Sequence, residues 1–199
     1  VKGYLLPEKL HPAHDGESPI HRDRLTRKPA YQGLLHGVRD VEDVVVLICG
    51  HGGRDMRCGV MGPALREEFR ARFPEEGVEV LEGPVEVRLG EEEGRGAIED
   101  GATMSATWKG EGEKKITARV GLISHIGGHK FAGNVIMYLP PGMKGPDGGE
   151  HPLAGHGIWY GRVEPKHVQG LVQETVVRGN VIAELFRGGI KGDGEILRL

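Results

Sequence analysis

Val44 to Ile48 is an unbroken apolar run, and a run of that length flanked by polar and glycine positions predicts a buried strand from about Val41 to Ile48. The rhythm then changes. Within Pro63–Phe73, Leu65, Phe69 and Phe73 recur at i, i+4 and i+8, the spacing of one helical face, and Pro63 suits the first turn, where its missing N–H costs nothing. Val78–Leu81 and Val85–Leu89 read as short strands, Lys115–Ser124 and Asn134–Leu139 as strands, and Ile158–Val163 as an edge strand. The helical period returns in Pro165–Arg178, with Val168, Leu171, Val172, Thr175 and Val176 on one face and Gly179 as the stop. Glu91–Gly112 is acidic and glycine-rich, the pattern of a solvated insertion, and Pro140–Gly149 is a breaker loop. Residues 1–37 show little periodicity and read as an extended arm or linker from a longer protein, since the chain begins without Met. Residues 38–199 read as one α/β domain.

Composition narrows the classes. A chain of 199 residues can bury one sizeable core. The net charge is −3 and no Lys/Arg block is interleaved with aromatics, so neither nucleic acid nor an anionic lipid surface is an expected partner. No apolar stretch reaches the roughly 20 residues that span a bilayer, and no membrane insertion is expected. Two cysteines are too few for a disulfide scaffold; they point to a reducing compartment and to thiols used as ligands or redox groups.

Those two thiols lie in one stretch, Cys49-Gly-His-Gly-Gly-Arg-Asp-Met-Arg-Cys58, directly after the first strand. His125-Ile-Gly-Gly-His129 follows another strand in the same way. Thiolate and imidazole suit zinc, copper and iron–sulfur irons, so ligand type alone does not choose the metal. Structural zinc usually draws its cysteines from a knuckle of about two to four intervening residues, shorter than this loop, whereas a larger inorganic core tolerates the wider spacing. Glycines in both loops permit close backbone approach and leave N–H donors for cluster sulfides. Four thiolates are not available within the chain. Iron–sulfur readings therefore reduce to two cysteines with two histidines, or two chains each donating Cys49 and Cys58; the histidine pair favours the first. Imidazole ligands hold a titratable proton, so electron uptake is expected to be linked to proton uptake at His125 or His129.

His51 is a rival ligand within the cysteine loop. His11, His14, His21, His36, His151, His156 and His167 lack such paired spacing and read as surface or hydrogen-bonded residues. Arg54, Arg57 and Lys130 flank the ligands and read either as basic groups that offset cluster charge or guide an acidic partner, or as solvated loop charges. Asp55 reads as an anchor for a loop N–H or an arginine, and Trp108 and Trp159 as packing residues. Two other readings use the same residues: a zinc-stabilised structural or interaction module, and a thiol oxidoreductase cycling Cys49 and Cys58. The latter is weakened by the lack of Cys-x-x-Cys at a helix start.

The Cys-x8-Cys loop between strand and helix, followed by a ligand loop with three residues between its paired ligands, resembles the thioredoxin-like ferredoxins, with histidines replacing the last two cysteines. More narrowly, Cys49 to Gly59 with Gly62-Pro63, and His125-Ile-Gly-Gly-His129-Lys-Phe-Ala-Gly-Asn134, resemble the sucrase/ferredoxin-like family over roughly Val41 to Ile190. Gly157-Ile-Trp-Tyr-Gly-Arg-Val163 and Glu184-Leu-Phe-Arg-Gly-Gly-Ile190 look most similar to its fungal mitochondrial members. The resemblance implies a thioredoxin-like ferredoxin fold, a central mixed sheet with flanking helices and a long irregular N-terminal arm. It also implies a [2Fe-2S] cluster with Cys49 and Cys58 on one iron and His125 and His129 on the other, in a mitochondrial redox protein; a cytosolic location is the alternative. On this reading the chain is an electron carrier rather than a self-contained enzyme, and its partner is another redox protein.

Overall fold

The computed structural model describes residues 2–4, 6–35, 41–53, 55–83 and 115–198, with the backbone alone for His129. The described residues fall into two compact units, one within residues 1–39 and the other comprising 41–83 and 115–198. Val85–Leu89, Glu91–Gly112, His36, Arg54 and Trp108 lie outside the described residues.

The first unit contains helix α1 (Pro19–Leu25) and two short 3-10 turns. Ser18 caps α1 by accepting the His21 N–H at 3.3 Å. Long-range bonds tie the segment to itself: Tyr4 Oη donates to the Gln32 carbonyl at 3.1 Å, and Gln32 Nε2 donates to the Gly3 carbonyl at 2.9 Å.

The second unit is an α/β domain built on one seven-stranded mixed sheet. Its strands are β1 (Val44–Cys49), β2 (Glu79–Val80), β3 (Thr117–Ile123), β4 (Val135–Tyr138), β5 (Gly157–Tyr160), β6 (Phe186–Ile190) and β7 (Ile196–Leu197), in the order β2-β3-β1-β4-β5-β6-β7. β2, β3 and β1 run parallel, and every pairing from β1 through β4 to β7 is antiparallel. This mixed sheet with helices is the architecture of the thioredoxin-like ferredoxin class. Ile158–Val163 is not an edge strand: β5 has β4 on one side and β6 on the other. β6 carries the pair Gly188-Gly189, which hides it from a reading of hydrophobic alternation.

Strand alternation sets the core. Val44, Val46 and Ile48 of β1, Val135 and Met137 of β4, and Ile158 and Tyr160 of β5 are fully buried. They join Leu65, Phe69 and Phe73 of helix α2 (Met56–Glu75) and Val168 and Leu171 of helix α3 (Pro165–Leu171) in one cluster. After α3 the chain continues through a π-helical segment, Val172–Val177, rather than the uniform α-helix expected. The apolar face persists across the change, because Val172, Thr175 and Val176 are buried with it. Thr175 is polar yet satisfied: it donates to the Asn180 carbonyl at 3.0 Å and lies 2.7 Å from Tyr160 Oη. The parallel half of the sheet is clamped near its start by Asp43, which accepts from Thr117 Oγ1 at 2.6 Å and Arg119 Nε at 2.8 Å. No helix among the described residues is long and apolar enough to cross a membrane.

Candidate metal centre

Because β1 and β3 are parallel neighbours with Cys49 opposite Ile123, the loops that follow them leave the sheet at the same end. That end, outside the C-termini of parallel strands, is where open α/β sheets place their ligands. Two bonds fix Cys49 there. Its N–H donates to the Asn134 carbonyl at 3.0 Å, and the next residue, Gly50, donates to the Ile123 carbonyl at 3.1 Å. His125 follows Ile123 by two residues, so the cysteine and histidine loops share one sheet end by backbone register alone. The His129 backbone opens a short 3-10 turn, His129–Phe131.

The second cysteine is carried by α2. This helix starts at Met56, seven residues before Pro63, and so corrects the expectation that Pro63 occupies its first turn. Asp55 makes the earlier start possible by accepting the Arg57 N–H at 2.9 Å as N-cap. Pro63 then falls inside the helix, where it forgoes the bond to the Gly59 carbonyl. The buried face reads Cys58, Gly62, Leu65, Phe69, Phe73, which places the thiol at the N-terminal end of the face that meets the core. Loop and helix interlock through missing side chains: a Cβ on Gly59 would stand 2.6 Å from Gly52 Cα, and one on Gly62 would stand 2.8 Å from both the Cys49 carbonyl oxygen and Gly50 Cα.

Cys49 and Cys58 are both buried, neither is in a disulfide, and the two thiols are near enough to influence each other's protonation. Burial pushes the Cys58 thiol up to about 11. Cys49 and the negative charge of Asp55 add to the shift, and Arg57 opposes it. The folded state thus holds this proton more tightly than the unfolded chain does. The resulting stabilisation is complete below the ordinary thiol value of 9.0 and is lost as pH rises towards 11. Alkylation by iodoacetamide, which needs the thiolate, is expected to be about a hundredfold slower at Cys58 than at an ordinary thiol near pH 8, and to rise with each pH unit up to about 11. Mass spectrometry after timed quenching measures it. A Cys58 rate already at its plateau by pH 8 would refute the assignment.

The flanking groups divide. Asp55 anchors both a backbone N–H and Arg57, whose Nε and Nη2 donate to its carboxylate at 3.0 and 2.7 Å. Lys130 is exposed, its ammonium 5.9 Å from the Phe131 ring centroid; Arg162 and Arg187 stack on the same ring at 5.0 and 3.3 Å. His51 is exposed. His151, His156 and His167 each use Nδ1 in a local backbone hydrogen bond, as expected of residues outside the site. Among the described residues no three His, Cys, Asp or Glu side chains are gathered closely enough to hold a metal ion, and the His129 side chain lies outside that description.

Sequence reasoning passed over Asn134. It is 1% exposed, and its Oδ1 accepts the Trp159 Nε1–H at 3.3 Å, yet its Nδ2 has no partner. Gly127 packs against the same two side chains. Its φ is +69°, and a Cβ there would lie 2.8 Å from Asn134 Oδ1 and 2.8 Å from Trp159 Cζ2. The residue is thus tied to Cys49 through its carbonyl and to the histidine loop through its amide, with one buried donor unused. Two buried thiols, a histidine loop at the same sheet end and an orphaned donor on the residue bonded to Cys49 fit a group bound through sulfur and imidazole.

A sequence profile of the sucrase/ferredoxin-like family matches residues 3–188. Among curated proteins the chain is similar to "altered inheritance of mitochondria protein 32" of Meyerozyma guilliermondii, at 31% identity over 193 residues, 96% of this chain and 50% of that protein. The protein of the same name from Clavispora lusitaniae is 33% identical over 175 residues, 86% of this chain and 37% of its own. That of Candida glabrata is 30% identical over 148 residues, 74% and 33% respectively. The chain spans half or less of the length of these relatives. No solved structure matches it significantly. Profile, identities and the paired loops at the end of a mixed sheet agree, and the chain belongs to the sucrase/ferredoxin-like family.

Proposed function

We propose that the chain is an electron-transfer protein of mitochondrial redox metabolism that holds a [2Fe-2S] cluster through Cys49, Cys58, His125 and His129, and that it acts as a carrier for another redox protein rather than as an enzyme on its own. The observation that carries this reading is the parallel β1–β3 pairing, which brings a buried dithiol and a glycine-flanked histidine loop to one sheet end. The mitochondrial assignment draws on the names of its relatives. A cluster, when bound, supplies a one-electron couple; two neutral imidazoles in place of two thiolates make it less negative and raise its potential above an all-cysteine site. The chain's own residues supply the rest. Cys49 and Cys58 give up their protons on loading, the buried core behind α2 keeps water from the sulfurs, and the glycine contacts hold the cysteine loop against the helix.

The test is a visible spectrum of anaerobically purified protein before and after dithionite, with iron, sulfide and zinc quantified on the same sample. About two irons and two sulfides per chain with bleachable absorption is the expected result. A colourless protein with stoichiometric zinc, and no colour after reconstitution, would replace the carrier with a zinc-stabilised module.

One observation favours a second reading. The two thiols influence each other, and Cys58 sits in the first turn of α2, so the helix start that the sequence did not reveal is present. A reversible Cys49–Cys58 disulfide fits that proximity. The raised Cys58 thiol argues against it as an attacking group. A metal-free protein that loses two protons in mass on mild oxidation and turns over dithiol substrates would establish it.

A further inference from the structure

Asn134 is a buried polar side chain with one amide atom bonded and the other unpartnered, and its orientation is fixed. The indole N–H of Trp159 can only donate, so the atom facing it must be Oδ1, and Nδ2 is turned the other way. Nδ2 and His151 Nε2 are the buried side-chain polar atoms without a partner among the described residues. Leaving such a donor buried and unpaired is costly, so a partner for it is favoured. Of the two, Nδ2 belongs to the residue whose own carbonyl pins Cys49 and whose amide packs on Gly127 of the histidine loop.

We infer that Asn134 is a positioning residue for the bound group: its Nδ2–H donates to a sulfur at the centre held by Cys49, Cys58, His125 and His129. This rests on the functional reading above and deepens it. Sulfur gains negative charge when an electron arrives, so a fixed N–H donor binds the reduced form better than the oxidised form. Loss of the donor therefore shifts the couple towards the oxidised form, by about tenfold in the reduction equilibrium, or about 59 mV for one electron. Asn134 also links the two loops, which gives the donor a fixed place relative to both ligand pairs.

Two variants separate donor from scaffold. Asn134→Asp keeps an oxygen for Trp159 and removes the amide donor; Asn134→Leu removes both polar atoms at similar volume. Both are reconstituted with iron and sulfide, and potential, cluster lifetime and thermal midpoint are measured for loaded and metal-free forms. The expected result is a lower potential in both variants, while metal-free Asn134→Leu melts near the wild-type temperature because it exchanges one unpaired donor, Asn134 Nδ2, for another, the half-buried Trp159 indole N–H. In wild-type protein loaded with diamagnetic zinc, the Asn134 side-chain amide resonance is expected to shift and to exchange slowly with solvent. A wild-type potential retained in a loaded Asn134→Leu protein, with an unshifted amide in the zinc form, would overturn the proposal and leave the cluster reading intact. A wild-type chain that takes up zinc but no cluster, with the amide shifted, would overturn the cluster reading and leave the donor assignment standing. A chain that binds neither overturns both.

Discussion

Cys58→Ser is expected to abolish cluster loading, with visible absorption after reconstitution below about a tenth of wild type, while far-ultraviolet circular dichroism is retained. The argument is geometric. Cys58 occupies the first turn of α2 on the buried face, near enough to Cys49 for each thiol to influence the other; the sequence holds no third thiol to take its place. Serine is a poor ligand for iron in this setting and adds a hydroxyl at a site 2% exposed, so the metal-free domain should lose on the order of 1–3 kcal/mol through an imperfectly paired polar group. The loss of loading should far exceed that change in stability. Histidine variants provide the contrast: His125→Cys and His129→Cys are expected to keep colour, lower the potential, and flatten its dependence on pH, since a thiolate carries no ring proton to be gained with the electron. Unchanged spectra and potentials in both would remove the histidines from the ligand set.

Gly62→Ala is expected to destabilise the domain by about 1–3 kcal/mol and to weaken cluster retention, reversing the usual sign of a glycine-to-alanine change within a helix. The new Cβ would press on the Cys49 carbonyl oxygen and Gly50 Cα at 2.8 Å, both backbone atoms, so α2 or the end of β1 must move. Either movement separates the two thiols. Gly170→Ala in α3 is the control, because its Cβ would meet nothing nearer than Ile182 Cδ1 at 3.9 Å. There the ordinary helix preference applies, and a gain of up to about 1 kcal/mol is expected. Urea unfolding of the two variants in parallel decides the matter. Equal midpoints would mean that α2 and the cysteine loop do not interlock.

The sequence made the site legible wherever local pattern and tertiary placement coincide. β1 and β4 are continuous apolar runs and β3 closes on Leu122 and Ile123, so the ends from which the cysteine and histidine loops depart are legible directly. Periodicity places Thr175 on the apolar face of the last helix, where it is buried, although its hydroxyl pairs with Tyr160 and Asn180 in a way no periodicity reveals. The start of α2 was obscured because Gly59, Gly62 and Pro63 imitate a breaker segment; an aspartate cap and contacts with Gly52 and Gly50 outweigh those propensities. β6 was hidden by its glycine pair and is defined by pairing with β5 and β7. Asn134 could not be singled out at all, since an unpaired amide exists only once Trp159, Gly127 and Cys49 have met.

Asp43 and Thr117 stand 74 positions apart, and the clamp between them marks the closure of the longest loop that the parallel half of the sheet requires. Closing such a loop is entropically slow to be repaid, whereas the strand–helix segment that carries Cys49 and Cys58 is local. On the proposed ligand set, the two halves of the centre are accordingly expected to mature at different times. At about 5–20 residues per second of synthesis, the histidine loop leaves the ribosome roughly 4–15 seconds after the thiols. During that interval the cysteines would form a dithiol without the proposed imidazole partners, open to oxidation or to a wrong metal, and loading of a cluster would then depend on keeping them reduced until β3 docks.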